Sequence, residues 1–286
     1  MQRQNLTKKK MNVLARWGEP KLLINAHMDT VPCYGDWETP PTRLTQKDGK
    51  YYGLGTCDTK GNIFALLQAA KIVQPKNTAL LFSFDEESGG ITSGVTFFLQ
   101  NPPFKRIKRA IILEPTNLLF ANSHPGYFSF FIDAKSKGVH SSVAKGDNPI
   151  VKIAQVVPKL KDFTIAKIES GTAGNIFPNS CRLLVSIRNY KTEKENLNKL
   201  KNILGKGLTI TPKTSLVPLK TESDKPVEVG FWSEPALFSQ AGIKSYVFGA
   251  GDIRQAHTTN EFVEISQIEA AKNIFIKLFS GETKLK

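Results

Sequence analysis

The sequence predicts an α/β domain built on a parallel β-sheet and interrupted by an inserted ferredoxin-like α+β domain. Over the first 125 residues, short apolar runs alternate with helical stretches, which is typical of buried parallel strands. After that point the order becomes strand, helix, strand, strand, helix, strand, which is the ferredoxin-like succession. The α/β pattern then resumes. We therefore expect three segments, 1–125, 126–222 and 223–286, of which the first and last form one discontinuous domain.

The first segment predicts three parallel strands and a helix. The strands are the apolar runs 22–26, 79–84 and 110–113. The helix is 61–72, where apolar side chains recur at helical spacing directly after Asp58. Because the carboxyl ends of parallel strands meet at a crevice that binds ligands, we expect a site just beyond these strands.

The later segments predict their elements in a clear order. In the inserted segment we expect a strand at 127–132, a helix at 149–160, strands at 163–168 and 181–188, a helix after a capping box of Thr192 and Glu195, and a strand at 208–211. The polar stretch 221–226 suits a returning linker. Beyond it we expect a helix at 233–241, a strand at 244–248 and a helix at 266–279 with a capping box of Ser266 and Glu269.

Composition indicates a water-soluble cytoplasmic protein. The 286 residues are 40% hydrophobic, which suffices for a sizeable core. No apolar run approaches the roughly 18 residues needed to cross a membrane, and the basic, polar start does not resemble a secretory signal. Cys33, Cys57 and Cys181 cannot all pair and show no CxxC spacing, so we expect a reducing compartment.

The net charge of +14 raises the question of nucleic-acid binding. The lysines are scattered, and the only dense cluster is Lys8 to Lys10. Neither an arginine-rich helix nor a zinc-finger spacing nor an aromatic–basic repeat is present. We therefore expect a solvated basic surface and no nucleic-acid partner, although the positive field would favour small anionic substrates.

Acidic and imidazole side chains follow the ends of several apolar runs. They are His27, Asp58, Glu87, Glu114 and His257, with Glu86 as an additional carboxylate. One carboxylate at a strand end is ordinary. Several at successive ends would repel each other unless cations neutralise them. We interpret the set as a two-metal hydrolase site.

His27 and Asp58 have local contexts that suit metal binding. Residues two apart in a strand face the same side, so Asp29 could accept a hydrogen bond from the His27 imidazole and orient it. Asp58 lies at the mouth of a helix in a glycine-containing segment, where it could bridge two cations. That segment does not have the spacing of a phosphate-binding loop. We interpret its Cys57 as a buried bystander rather than a ligand or nucleophile.

The adjacent glutamates Glu86 and Glu87 carry the most chemical information. Neighbouring side chains at a strand end point in different directions, so one can bind a metal while the other reaches a metal-bound water. A nearby glutamate can take the proton of such a water. The alternative is a solvated acidic turn, which the presence of Glu114 and His257 makes less favourable.

The ordered motifs resemble one known family. They are His27-Met28-Asp29-Thr30-Val31-Pro32, Gly35-Asp36-Trp37, Gly55 to Gly61, Glu86-Glu87, Glu114-Pro115-Thr116 and Ala256-His257-Thr258-Thr259-Asn260-Glu261. The chain resembles the aminoacylase/acetylornithine deacetylase family of di-zinc amidohydrolases from about Leu22 to Phe279. This family also contains succinyl-diaminopimelate desuccinylase and carboxypeptidase G-type enzymes.

The resemblance implies a zinc-exopeptidase-like catalytic domain, an inserted dimerisation domain, a homodimer, and two zinc ions per chain with cobalt as a substitute. It implies that Asp58 bridges both metals, that His27 and Glu114 complete one shell and that Glu87 and His257 complete the other. It further implies that Glu86 is the general base, that Asp29 orients His27 and that His140 reaches across the dimer to the oxyanion. Asn175, Arg188 and Gly251 match substrate-binding positions.

The resemblance also implies the substrate class, an N-acyl amino acid. The segments around Asp58 and Glu114 are more similar to acetylornithine and acetylcitrulline deacetylases of arginine biosynthesis than to the desuccinylase. The alternatives are a desuccinylase, a dipeptidase or carboxypeptidase of the same family, and a non-catalytic member that serves as a binding or scaffold protein. The last is motivated by a departure from the family, since only 26 residues precede His27. Either this form is naturally short or part of the scaffold is missing.

Overall fold

A computed structural model describes residues 2–87, 93–220 and 225–282. The strands are β1 (Gln2–Asn5), β2 (Met11–Trp17), β3 (Leu22–His27), β4 (Thr45–Lys47), β5 (Lys50–Tyr52), β6 (Thr78–Ser83), β7 (Arg109–Leu113), β8 (Gly126–Lys135), β9 (Val139–His140), β10 (Thr164–Ser170), β11 (Ile176–Phe177), β12 (Ser180–Asn189), β13 (Thr209–Leu216), β14 (Lys244–Phe248) and β15 (Phe262–Glu264). The helices are α1 (Gly61–Ile72), α2 (Gly94–Gln100), α3 (Pro149–Val156), α4 (Glu193–Leu204), α5 (Pro235–Gln240) and α6 (Ile265–Ser280).

The chain divides into two compact units. The first contains 1–123, 221–229 and 233–286, and the second contains 124–220 and 230–232. The second unit thus begins at His124, where the sequence predicts a boundary at residue 126. The predicted boundary at 222, within the linker 221–226, lies outside the described residues.

The first unit is built on a six-stranded sheet with the order β1-β2-β6-β3-β7-β14. β3 is parallel to both β6 and β7, and β14 is parallel to β7. These strands are buried on both faces because α1 and α6 pack on one face and α2 and α5 on the other. The predicted α/β class, with its parallel apolar strands, is confirmed.

The N-terminal part contributes two strands that the sequence analysis did not predict. β2 pairs antiparallel with β6, and β1 pairs antiparallel with β2. In β2 the inward positions are held by Asn12 and Leu14, both buried. The signal is weak because a polar side chain occupies one of these buried positions: Asn12 Nδ2 donates to the carbonyl of Gly94 at 2.8 Å.

The start of α6 differs from the prediction. The capping box of Ser266 and Glu269 is wrong, because the helix begins at Ile265 and Ser266 already lies within its first turn. β15 pairs with β5 up to Glu264, and the amide of Ile265 donates to the carbonyl of Gly49 at 2.9 Å. The end of the strand therefore fixes the start of the helix, and Glu264 at the N-cap makes no side-chain capping bond.

The second unit has the predicted βαββαβ succession. Four of its six strands form an antiparallel sheet with the order β10-β12-β8-β13, and the short strands β9 and β11 pair with each other. Phe128, Phe130 and Val185 of the sheet pack with Ile153 of α3 and Leu200 of α4 in one buried core. The predicted capping box at the start of α4 is present, since the amide of Glu195 donates to Thr192 Oγ1 and the amide of Thr192 donates to Glu195 Oε2.

Within the described ranges, none of the helices combines the length and the apolar composition required for a membrane crossing.

Candidate metal centre

A buried aspartate links two histidines at the carboxyl edge of the parallel strands. His27 is the last residue of β3, and its Nε2 lies 2.9 Å from Asp58 Oδ1. The other carboxylate oxygen, Asp58 Oδ2, lies 3.2 Å from Nε2 of His257. The same His257 nitrogen is 2.9 Å from Glu87 Oε1. The Asp58 carboxylate therefore lies between the two imidazoles and presents one oxygen to each.

Among the residues that the structure describes, three groups of side chains bring potential metal-ligand atoms within 4.8 Å of one another. One contains His27, Asp58 and Glu114, another contains Asp58, Glu87 and His257, and the third contains His27, Glu86 and Glu87. The first two groups share Asp58. They contain the same side chains that the sequence analysis assigns to two metal shells, and Glu86 lies with them.

Nitrogen and oxygen donors in this arrangement fit divalent cations. Asp58 and Glu114 are buried within a few ångströms of each other, so their ionised forms repel. The imidazoles and carboxylates are the donor types that bind zinc, and a divalent ion would neutralise the clustered charge. The donor set therefore fits two ions that share the Asp58 carboxylate.

Asp29 supports a different part of the site from the one predicted. The Nδ1 atom of His27 lies 3.0 Å from the carbonyl oxygen of Asp29, whereas the Asp29 carboxylate is 3.8 Å away from it. The reason is that β3 ends at His27, so the strand alternation does not extend to Asp29. The carboxylate instead accepts hydrogen bonds from the amides of Glu86 at 3.3 Å and Glu87 at 3.0 Å. Asp29 thus orients His27 through its main chain and the Glu86–Glu87 turn through its side chain.

Two neighbouring residues that the sequence analysis missed connect the strand ends. Ser233 Oγ donates to Glu114 Oε1 at 2.8 Å. The buried Glu234 carboxylate accepts from Asn25 Nδ2 at 3.0 Å and from Ser93 Oγ at 2.9 Å. Asn25 lies in β3 two residues before His27, and Ser93 is the N-cap of α2. In the sequence, Ser233 and Glu234 look like the first turn of a short helix, so the pattern gives no functional signal.

Glu261 ends the motif that begins at Ala256, and the sequence predicts no role for it. Its buried carboxylate accepts hydrogen bonds from the amides of Gly55, Cys57 and Asp58. These amides belong to the segment that leads into α1 and carries Asp58.

The charged groups of the centre perturb one another's pKa values. The hydrogen bonds with Asp58 and then Glu87 raise the pKa of His257 to about 10. Burial favours the neutral form of Asp58, but hydrogen bonds from His257 and His27 outweigh it and hold the pKa of Asp58 below its usual range. Burial likewise opposes protonation of His27, yet the hydrogen bond to Asp58 and the surrounding carboxylates raise its pKa. The site thus favours two positive charges around Asp58, in the positions that cations would take.

The remaining carboxylates are held in a poorly solvated environment. Burial raises the pKa of Glu86 to about 8 and the pKa of Glu234 to about 7. The pKa of Glu114 is raised as well, chiefly by burial and then by the negative charges of Asp58 and Glu86. A carboxyl with a pKa near neutrality can both accept and release a proton at physiological pH.

Gly251 has a packing reason to be glycine. Its φ is +94°, and a Cβ at this position would lie 2.5 Å from the sulfur of Cys57. Its amide donates to Gln267 Oε1 at 2.6 Å. Cys57 is fully buried against Gly251, and burial raises the pKa of its thiol, which disfavours the reactive thiolate. The role of Gly251 in substrate binding stays a prediction.

Three predicted site residues belong to the second unit, and all three are exposed. His140 Nδ1 lies 2.7 Å from Ser142 Oγ, which leaves Nε2 directed away from this contact. Asn175 accepts the amide of Ser141 on its carbonyl at 2.9 Å, and the Arg188 guanidinium stacks 4.8 Å from the centre of the Tyr127 ring. Their roles in oxyanion and substrate binding stay predictions.

Comparison with known proteins identifies the sequence family and the fold. The sequence model of peptidase family M20/M25/M40 matches residues 23–280. The chain is 30% identical to an acetylornithine deacetylase of Shigella sonnei over 95% of this chain and 83% of that protein. It is 25% identical to an N-acetyl-L-citrulline deacetylase of Xanthomonas campestris, over 92% and 82% of the two chains.

A solved structure described as a dinuclear metal-binding peptidase, YXEP of Bacillus subtilis, shares the fold. The TM-score is 0.66 at 14% identity, and the match covers 97% of this chain and 86% of that one.

Removing divalent ions should destabilise the first unit. If two ions relieve the repulsion among the buried carboxylates, zinc added to the chelator-treated chain should raise its melting temperature. At free zinc 100-fold above the dissociation constant, the gain is about 2.7 kcal/mol per ion. Scanning calorimetry measures it. Asp58→Asn, which weakens the shared ligand, should lose most of the shift, and an equal shift in this variant would place the ions elsewhere.

Proposed function

Because the chain belongs to peptidase family M20/M25/M40 and is a metal-dependent amidohydrolase, we propose that it hydrolyses the amide bond of an N-acyl amino acid. The observation that carries the proposal is the Asp58 carboxylate, which presents one oxygen to His27 and the other to His257 while the half-buried Glu86 lies beside them. This arrangement offers two adjoining metal positions and a proton carrier beside them.

We assign the ligands by group. Asp58 would bridge the two ions, His27 and Glu114 would complete one shell, and Glu87 and His257 would complete the other. Two zinc ions suit this mixture of imidazole and carboxylate donors, with cobalt as a substitute. When bound, such ions polarise a carbonyl group and lower the pKa of water toward neutrality.

Glu86 is the proton carrier in this proposal. Its carboxylate lies in the same cluster as the proposed ligands, so it can take a proton from the attacking water and then deliver it to the leaving nitrogen. The carboxylate of Asp29 holds the main chain of Glu86 and Glu87 through two amides, which fixes where the Glu86 carboxylate points. Ser233 does the same for Glu114 by donating to its Oε1.

For the substrate we propose N-acetyl-L-ornithine or N-acetyl-L-citrulline, and with it a step of arginine biosynthesis in the cytoplasm. The support is the names of the two relatives from Shigella sonnei and Xanthomonas campestris. Both substrates carry a carboxylate. Acetylcitrulline is a net anion, which the net charge of +14 would attract, whereas the side-chain ammonium of acetylornithine balances its carboxylate. Asn175 and Arg188 of the second unit are our candidates for binding that carboxylate, with Gly251 as a third.

Replacing Glu86 separates chemistry from metal binding. Glu86→Gln keeps the size of the side chain but cannot accept the proton. We expect the rate of acetylornithine or acetylcitrulline hydrolysis to fall about 10²- to 10⁴-fold while zinc content stays near two per chain. Steady-state kinetics and elemental analysis measure the two quantities. Glu193→Gln, in the first turn of α4 and outside the metal-ligand cluster, is the matched control and should retain wild-type activity.

The same assay on a panel of substrates tests the assignment of the acyl group. The panel contains acetylornithine, acetylcitrulline, succinyl-diaminopimelate and simple dipeptides. A clear preference for either acetylated amino acid supports the proposal. A preference for the succinyl compound or for dipeptides would contradict the substrate while keeping the hydrolase. A zinc-loaded chain that cleaves none of them would favour the binding-protein alternative.

We also propose a homodimer formed by the second unit. β10 is an edge strand of its sheet, and every residue in it is exposed. Ile165 and Ile168 of β10 and Ile150 and Val151 of α3 are exposed large apolar side chains of the same unit. An edge strand of this kind can pair with its twin across a two-fold axis, which covers both the free backbone groups and the apolar side chains.

If the dimer completes each site with His140 of the partner, two inactive variants should complement each other. Glu86→Gln and His140→Ala subunits are each inactive alone. A mixed dimer has one site with both residues intact, so mixing should restore part of the activity. Light scattering and tagged-subunit capture verify exchange, and activity is then measured. Exchange without recovery would contradict a role for His140 in trans.

A further inference from the structure

Glu261 forms a carboxylate cradle for the segment that carries Asp58. The Glu261 side chain is 2% exposed, and one of its oxygens accepts the amides of Cys57 at 2.8 Å and Asp58 at 3.0 Å. The other oxygen accepts the amide of Gly55 at 2.7 Å. Three backbone donors in four consecutive residues thus converge on one carboxylate.

The main chain of Glu261 holds the same segment from the other side. Its carbonyl accepts the amide of Gly53 at 3.1 Å and the hydroxyl of Thr56 at 3.4 Å. Glu261 also lies only four residues after His257, whose Nε2 is 3.2 Å from Asp58 Oδ2. A single residue therefore ties the Asp58 segment to the segment that carries His257.

The segment has little freedom to find other partners. Cys57 is fully buried, and its amide has no access to water that could replace the carboxylate. Gly55 has a φ of +81°, and a Cβ there would lie 2.6 Å from the methyl group of Thr30. Loss of an acceptor would leave buried donors unsatisfied, so the backbone would have to move to recover hydrogen bonds. Asp58, whose own amide is one of the three, would move with it.

We propose that Glu261 is a positioning residue of the metal centre. It places the Asp58 carboxylate relative to His257 and thereby sets the affinity for the ion that Glu87 and His257 would hold. This inference rests on the ligand assignment in the proposed function. Glu261 would not itself touch an ion or the substrate. Residues that orient metal ligands typically change metal affinity by about 10- to 100-fold when they are replaced.

The test is Glu261→Gln, measured by its affinity for zinc. Glutamine has the same size, but its amide group must turn an N–H donor toward one of the three backbone donors. The chelator-treated full chain is titrated with zinc by calorimetry. We expect binding of at least one of the two ions to weaken about 10- to 100-fold. Glu264→Gln is the matched control, because the half-buried Glu264 carboxylate pairs with Lys50 at 3.5 Å and lies outside the metal-ligand cluster. It should bind zinc as the wild type does.

A cobalt-loaded sample supplies a second readout. The visible absorption of cobalt reports ligand geometry, so a displaced Asp58 should change the spectrum of Glu261→Gln but not that of Glu264→Gln. A merely structural role would lower the melting temperature of the metal-free chain and leave affinity and spectrum unchanged. That result would contradict the inference.

The zinc titrations distinguish failure of this inference from failure of the proposed function on which it rests. A wild-type chain that binds two ions, with a Glu261→Gln variant of equal affinity, overturns the positioning role alone. A wild-type chain that binds fewer than two ions overturns the proposed function and the inference with it. If the glutamine variant does not fold, Glu261→Asp takes its place, since its carboxylate is one methylene shorter. Weaker zinc binding then supports the inference, and wild-type affinity contradicts it.

Discussion

Mutual repulsion among buried and half-buried carboxylates is the constraint on which the metal-ligand cluster of the first unit depends. Asp58, Glu86, Glu87 and Glu114 approach one another at the carboxyl edge of the parallel sheet, where little water is available to screen them. Such a cluster is unfavourable unless positive charge lies among its members. In the structure the two imidazoles take that position, and the neighbouring carboxylates raise the pKa of both. Divalent ions would satisfy the same demand with the imidazoles neutral.

The fold meets this constraint by holding each carboxylate through a different neighbour. The parallel arrangement of β3, β6 and β7 delivers His27, the Glu86–Glu87 turn and Glu114 to one edge. Asp29, Ser233 and Glu261 then fix the orientation of Glu86–Glu87, Glu114 and Asp58 respectively. Ser233 donates a hydroxyl hydrogen bond to Glu114, whereas Asp29 and Glu261 are themselves carboxylates that accept backbone amides. None of the three is a cation, so they position the cluster without neutralising it and leave its charge available for metal ions.

The side chains of the metal-ligand cluster could be predicted from the sequence, whereas most of their supports could not. His27, Glu87 and Glu114 follow apolar runs whose strand character is plain, and parallel strands must bring their ends together. β2 could not be predicted because the hydrogen-bonded polar residue Asn12 interrupts its apolar pattern. Ser266 suggests an N-cap, but the pairing of β15 makes the helix begin one residue earlier. Glu234 and Glu261 act on residues about 140 to 209 positions away in the chain, so local patterns carry no trace of them.

The central claim is that two ions share the carboxylate of Asp58. Anomalous diffraction at the zinc absorption edge, from crystals of the zinc-loaded chain, tests it most directly. The account predicts two anomalous peaks about 3.5–4 Å apart, each in contact with one oxygen of Asp58, with His27 and Glu114 at one peak and Glu87 and His257 at the other. A single peak, or two peaks of which one does not contact Asp58, would contradict it.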